Sequence, residues 1–140
     1  MKTHTGKWSG VMLHHTATPT TYTAQQIKNI HLAKGWGDVG YHYLIKLTDS
    51  GCSIKTGRSD KYVGAHCDVG NYNNTYIGVS IIGNFETAKL NDAQFNAVCN
   101  SLKHIMNKYE VATLKGHREV KATACPGKNI DLAKIRAKIR

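Results

Sequence analysis

Apolar side chains recur along this chain in two rhythms, short continuous or alternating runs and three- to four-residue steps. Residues 8–16 (WSGVMLHHT) form an apolar run that ends before Pro19 and a string of threonines, which predicts a short buried strand with two histidines at its end. Thr23 and Gln26 have the spacing of a capping box, Tyr22 and Ile27 that of a hydrophobic staple, and Gly35 a stop, so a helix is expected over about 24–34. Tyr41, Tyr43, Ile45 and Leu47 alternate with His42, Leu44 and Lys46. The turn Asp49-Ser50-Gly51 then leads into a second strand near 52–56, completing a hairpin.

From Val63 to Tyr76 the chain is rich in Gly and Asn and keeps no period, which predicts a long loop of the kind that carries function. Residues 77–82 read as a buried strand. Asn91 caps a helix whose apolar positions Phe95, Val98, Leu102, Ile105, Met106 and Tyr109 fall at three- and four-residue steps, with Leu90 as its staple. A short strand near 113–116, a loop holding His117 and Cys125, and a last helix from about Ile130 complete the chain. This alternation predicts a single α/β domain, with a central mixed sheet of five or six strands flanked by about three helices. A chain of 140 residues has room for one such core.

Composition narrows the function. Hydrophobic residues make up 41% and prolines number two, which excludes a disordered chain. Nineteen Lys and Arg against nine Asp and Glu give a formal charge of +10, a field that attracts nucleic acid, anionic lipid or anionic wall polymer. No RNP-like, zinc-finger or helix-turn-helix signature accompanies that charge, so nucleic acid is not the expected partner. No apolar run reaches membrane-spanning length, and the N-terminus MKTHTGKWSG lacks the apolar stretch of a secretory signal. Synthesis in a cytoplasm is expected, with reduced thiols. Cys52, Cys67 and Cys99 read as structural.

His14, His117 and Cys125 are donors that zinc accepts, three from the protein with a fourth position left open. Their spacing alone equally suits a strand-end histidine, a surface histidine and a small buried thiol. Six segments in order, VMLHHTAT, GWGDVGYHYLIK, GRSDKYVGAH, YIGVSIIGNF, GHREV and TACPG, add a stronger signal. Together they span nearly the whole chain, which resembles the N-acetylmuramoyl-L-alanine amidases of the phage-lysozyme and peptidoglycan-recognition-protein type. The resemblance implies one Zn2+ held by His14, His117 and Cys125, with His15 outside the coordination sphere. It makes Tyr41 the catalytic tyrosine that orients the attacking water. Thr123, a lysine in some phage members, would hydrogen-bond the oxyanion, and whether Lys121 or Lys128 compensates stays open. Arg58, His66 and Asn73 would border the substrate groove, with Asn84 in a segment that shapes it. Glu119 completes a His-x-Glu pattern, but the Pro-Cys-x-x-Cys of zinc deaminases is missing, so it is expected beside the ligands or fixing their loop.

The implied reaction is hydrolysis of the amide between the lactyl group of N-acetylmuramic acid and L-alanine in bacterial peptidoglycan. A non-catalytic peptidoglycan sensor is the alternative; such members typically lack the cysteine found here at Cys125. Small size, the missing export signal and closeness to phage-type members suggest a phage or prophage endolysin that reaches the wall after release, with a bacterial autolysin as the alternative and a monomer as the default expectation. Because the chain stops in a basic helix, residues 1–140 are expected to be a catalytic domain trimmed from a protein with a wall-binding domain.

Overall fold

The computed structural model of the protein describes residues 1–140. Strand β1 (Gly10–His15) leads to helix α1 (Ala24–Ala33), the hairpin of β2 (Tyr43–Thr48) and β3 (Gly51–Thr56), a short helix α2 (Tyr72–Thr75) and strand β4 (Tyr76–Ile81). Helix α3 (Asp92–Lys108), strand β5 (Leu114–Gly116), a single 3-10 turn (His117–Glu119) and helix α4 (Leu132–Ile139) follow. The five strands form one mixed sheet in the order β3, β2, β4, β1, β5. Only the β2–β3 hairpin is antiparallel; β1 runs parallel to both β4 and β5, and β2 parallel to β4.

Alternation along the strands sorts side chains between two faces. Val11, Leu13, Tyr43, Ile45, Ile77, Val79 and Ile81 face the larger core, where α3 contributes Val98, Leu102, Ile105 and Met106 and α4 contributes Leu132 and Ile135. Leu44 takes the opposite face and packs with Ile27 of α1, Val39 and Ile82. Covering both faces explains why β1 and β4 are buried along their whole length and read as continuous apolar runs. Each fully buried Leu, Ile or Phe stabilises the fold by roughly 1.5–3 kcal/mol.

The capping boxes form as spaced: Thr23 Oγ1 accepts from Gln26 N–H, and Asn91 Oδ1 from Gln94 N–H at 2.8 Å. Three elements start two residues later than the sequence pattern suggests. β1 begins at Gly10, and ahead of it the Trp8 ring stacks on His4 and packs against the large core. β2 begins at Tyr43, which leaves Tyr41 just ahead of it. α4 starts at Leu132, because Asp131 rather than Ile130 supplies the cap through Oδ1 to Lys134 N–H. The expected loop over 63–76 also contains α2, a helix too short to show a period.

Candidate metal centre

Register places the first two donors. β1 and β5 pair with Leu13 opposite Gly116, so the residues that follow, His14 and His117, emerge side by side at the carboxyl ends of two parallel strands. Crevices beyond the carboxyl ends of parallel strands are where such sheets bind ligands. The His14 and His117 ring centroids lie 4.6 Å apart. The neighbouring His15 also borders the groove, but its Nδ1 accepts the Phe85 N–H at 3.0 Å.

Cys125 arrives on the loop between the 3-10 turn and α4. Arg118 staples that loop: its backbone N–H donates to Cys125 O, and its guanidinium to Gly127 O at 2.8 Å and Ile130 O at 2.6 Å. At Gly127 the chain adopts φ +104, and a Cβ there would meet the Phe85 backbone at 2.5 Å, so only glycine fits.

One ligand atom each from His14, His117 and Cys125 lies within 4.8 Å of the other two. His14 Nδ1 stands 3.6 Å from Cys125 Sγ. Zn–N bonds of about 2.0–2.1 Å and a Zn–S bond of about 2.3 Å at tetrahedral angles separate N and S by about 3.6 Å. Burial, reinforced by His66 and His117, holds the His14 imidazole well below its usual pKa and therefore neutral, the form that ligates. Burial also lowers His117. Burial pushes the Cys125 thiol up to about 11, so a thiolate here needs a cation beside it. The protein leaves these groups underpartnered. His117 Nε2 is buried without a hydrogen-bond partner, and Sγ has only long contacts, to His15 N–H at 3.4 Å, His14 Nδ1 at 3.6 Å and His15 O at 3.8 Å. A neutral N,N,S set with unspent capacity suits zinc.

The three donors open onto a groove of about 460 Å³ whose walls include Trp36, Tyr41, Asn84, Glu86 and Thr123. The Tyr41 ring centroid lies 5.3 Å from that of His14. Burial first, and the charge of Cys125 second, raise the Tyr41 hydroxyl well above its usual range. Thr123 Oγ1 accepts the Cys125 N–H at 3.3 Å, which fixes the hydroxyl at the groove wall.

The family described as N-acetylmuramoyl-L-alanine amidase matches residues 4–128. The chain belongs to that amidase family. Its relatives include the Drosophila simulans peptidoglycan-recognition protein SC2, 35% identical over 133 residues that cover 87% of this chain and 70% of that protein. The endolysin of Escherichia phage T7 is 32% identical over 83% of this chain and 78% of its own length. Among solved structures, the N-acetylmuramoyl-L-alanine amidase LysC from Clostridium intestinale superposes with TM-score 0.83 at 30% identity, covering 99% of this chain and 93% of that one. The amidase family thus contains both phage lysins and recognition proteins.

Within this amidase fold the structure gathers His14, His117, Cys125, Tyr41, Thr123 and His66 at one groove and places Arg58 and Asn73 outside its lining. Arg58 does not line the groove. It is 5% exposed, and its guanidinium donates to the carbonyls of Val39, Val63, Trp36 and Asp38. Asn73 is spent on the backbone too, its Oδ1 accepting from His66 N–H at 2.8 Å and Cys67 N–H at 2.9 Å. His66 lines the floor, but both ring nitrogens bond within the protein. Glu119 fixes the loop, accepting from Gly116 N–H at 2.7 Å and pairing with Arg136. Lys121 Nζ is paired with Asp68 at 2.6 Å. Trp36 and Arg118 lie within the segments GWGDVGYHYLIK and GHREV, which could have signalled them, but nothing local to Glu86 signals that it faces the groove.

Proposed function

We propose that the chain is a zinc-dependent amidase that hydrolyses the bond between N-acetylmuramic acid and L-alanine in bacterial peptidoglycan, acting on the wall after release. The observation that carries this reading is the convergence of His14, His117 and Cys125 on one groove at 4.8 Å or less. Family membership and the endolysin relatives support amidase activity on peptidoglycan.

When bound, zinc would lower the pKa of a coordinated water toward neutrality and polarise the scissile carbonyl. The remaining work falls to the chain. Tyr41, kept protonated by burial, orients the attacking water through its hydroxyl and does not act as a phenolate base. Thr123 donates a hydrogen bond from its hydroxyl to the carbonyl oxygen as negative charge develops there, a contact whose loss costs about a hundredfold or more in rate. The groove has the volume of an ordinary ligand site, and Trp36 offers an apolar wall for a sugar or peptide face. Breaking the C–N bond leaves the lactyl carboxylate and a new alanine amine.

The test is release of N-terminal alanine from purified peptidoglycan by wild type, by Cys125→Ser and by chelated protein resupplied with zinc. New amines without new reducing sugars, lost in the variant and on chelation and restored by zinc, are expected. Stoichiometric zinc uptake with no release across several wall chemotypes would replace this reading with a non-catalytic sensor.

A further inference from the structure

His66 occupies a slot that the fold has built for it. Its ring lies between two glycines: a Cβ on Gly64 would meet His66 Cδ2 at 2.4 Å, and one on Gly78 would meet the same atom at 2.5 Å. Asn73 Oδ1 clamps its backbone N–H and that of Cys67. The ring is buried, with Nε2 3.0 Å from Tyr76 O and Nδ1 2.9 Å from His14 Nε2.

Hydrogen-bonding rules fix every proton in this chain. A carbonyl oxygen only accepts, so His66 Nε2 carries a proton and donates to Tyr76 O. No carboxylate is bonded to the ring, and an unpaired imidazolium in such a site is costly, so His66 holds that one proton. Its Nδ1 is then a lone pair, and the neighbouring His14 Nε2 must be the donor. His14 is left with a bare Nδ1, the atom 3.6 Å from Cys125 Sγ.

We propose that His66 is a positioning residue, anchored on the Tyr76 carbonyl, that locks His14 in its Nε2–H tautomer so that Nδ1 is always presented to the metal. The inference rests on the zinc reading above for its purpose but not for its geometry. Ligating histidines commonly donate their second nitrogen to a carboxylate or carbonyl, which fixes ring and tautomer. Here a second, neutral imidazole relays that role from a strand carbonyl. A neutral acceptor orients the ligand without adding negative charge, so Cys125 remains the only anionic donor in the set.

Two measurements test this. Long-range 1H–15N correlation spectra of the metal-free wild type should show His14 protonated at Nε2 and bare at Nδ1, and His66 likewise; a His14 proton on Nδ1 overturns the proposal. Zinc affinity by chelator competition should fall about 10- to 100-fold in His66→Phe. His66→Asn, whose Oδ1 can still accept from His14, should recover part of that loss. The thermal midpoint of each variant identifies misfolding, and the tautomer spectrum of the wild type decides the matter even if neither variant folds. Wild-type affinity in a folded His66→Phe also overturns the proposal. Wild type that takes up no zinc yet shows the stated tautomers refutes the zinc reading alone.

Discussion

Four backbone carbonyls converge on the Arg58 guanidinium, and no sequence pattern announces that. Its sequence neighbours, GRSDKY, are polar and suggest a surface. The contacts come from Trp36, Asp38, Val39 and Val63, segments brought together only by the fold. Asn73 and Glu119 repeat the lesson: their residue types are legible as polar and well placed, but whether an oxygen faces substrate or a nearby N–H depends on loop geometry. His14, His117 and Cys125 could be singled out together only because the segments around them resemble a known family; their spacing alone did not distinguish them from structural residues. For Arg58 the expectation is structural. Arg58→Met leaves several carbonyls without a donor and should cost about 2–4 kcal/mol. Arg58→Lys should recover little, since an ammonium cannot span the fork. Urea midpoints measure both. Unchanged stability with lost amidase turnover would return Arg58 to the substrate groove.

Strands and helices were readable to the extent that their signals are local. The two capping boxes and the apolar steps of α3 needed no tertiary information. The sheet order β3, β2, β4, β1, β5 did need it, since parallel neighbours are paired by crossovers that leave no mark on either strand. β4 shows the consequence. Its parity directs Ile77, Val79 and Ile81 into the large core and leaves Gly78 opposite Met12 on the groove side, where the His66 ring covers it. Gly78→Ala forces that ring aside, so it should cost about 1–3 kcal/mol, as overpacked positions do, and weaken zinc binding as well. Gly51→Ala in β3 is the control, because its Cβ meets nothing closer than Ala97 Cβ at 3.5 Å, and it should stay within about 0.5 kcal/mol. Thermal midpoints and chelator competition on the two variants separate the cases; equal stability of both would refute the slot.

Across the whole molecule, acid is the condition that strains this design most. The native protein buries neutral histidines, among them His31 and His42. Burial, then Lys34 and Arg58, lower His31 to about 4, and its Nδ1 accepts the Gly40 N–H at 2.8 Å. Burial lowers His42 as well. In the unfolded chain each returns to about 6.5, so below that pH the unfolded state binds more protons. Their contribution to stability is therefore complete above about pH 6.5 and is lost as pH falls below it, toward about 4 for His31. Added protons also enlarge a formal charge that is already +10, and self-repulsion acts in the same direction. Salt distinguishes the two causes. At about 1 M salt the Debye length is about 3 Å, which screens surface repulsion but not the cost of charging a buried ring. Urea midpoints of metal-free protein should thus be flat above pH 6.5 and fall below it at both low and high salt. His31→Asn, whose Oδ1 can still accept from Gly40 but does not titrate, should flatten that fall. A decline abolished by salt and indifferent to His31→Asn would assign the acid sensitivity to surface charge instead.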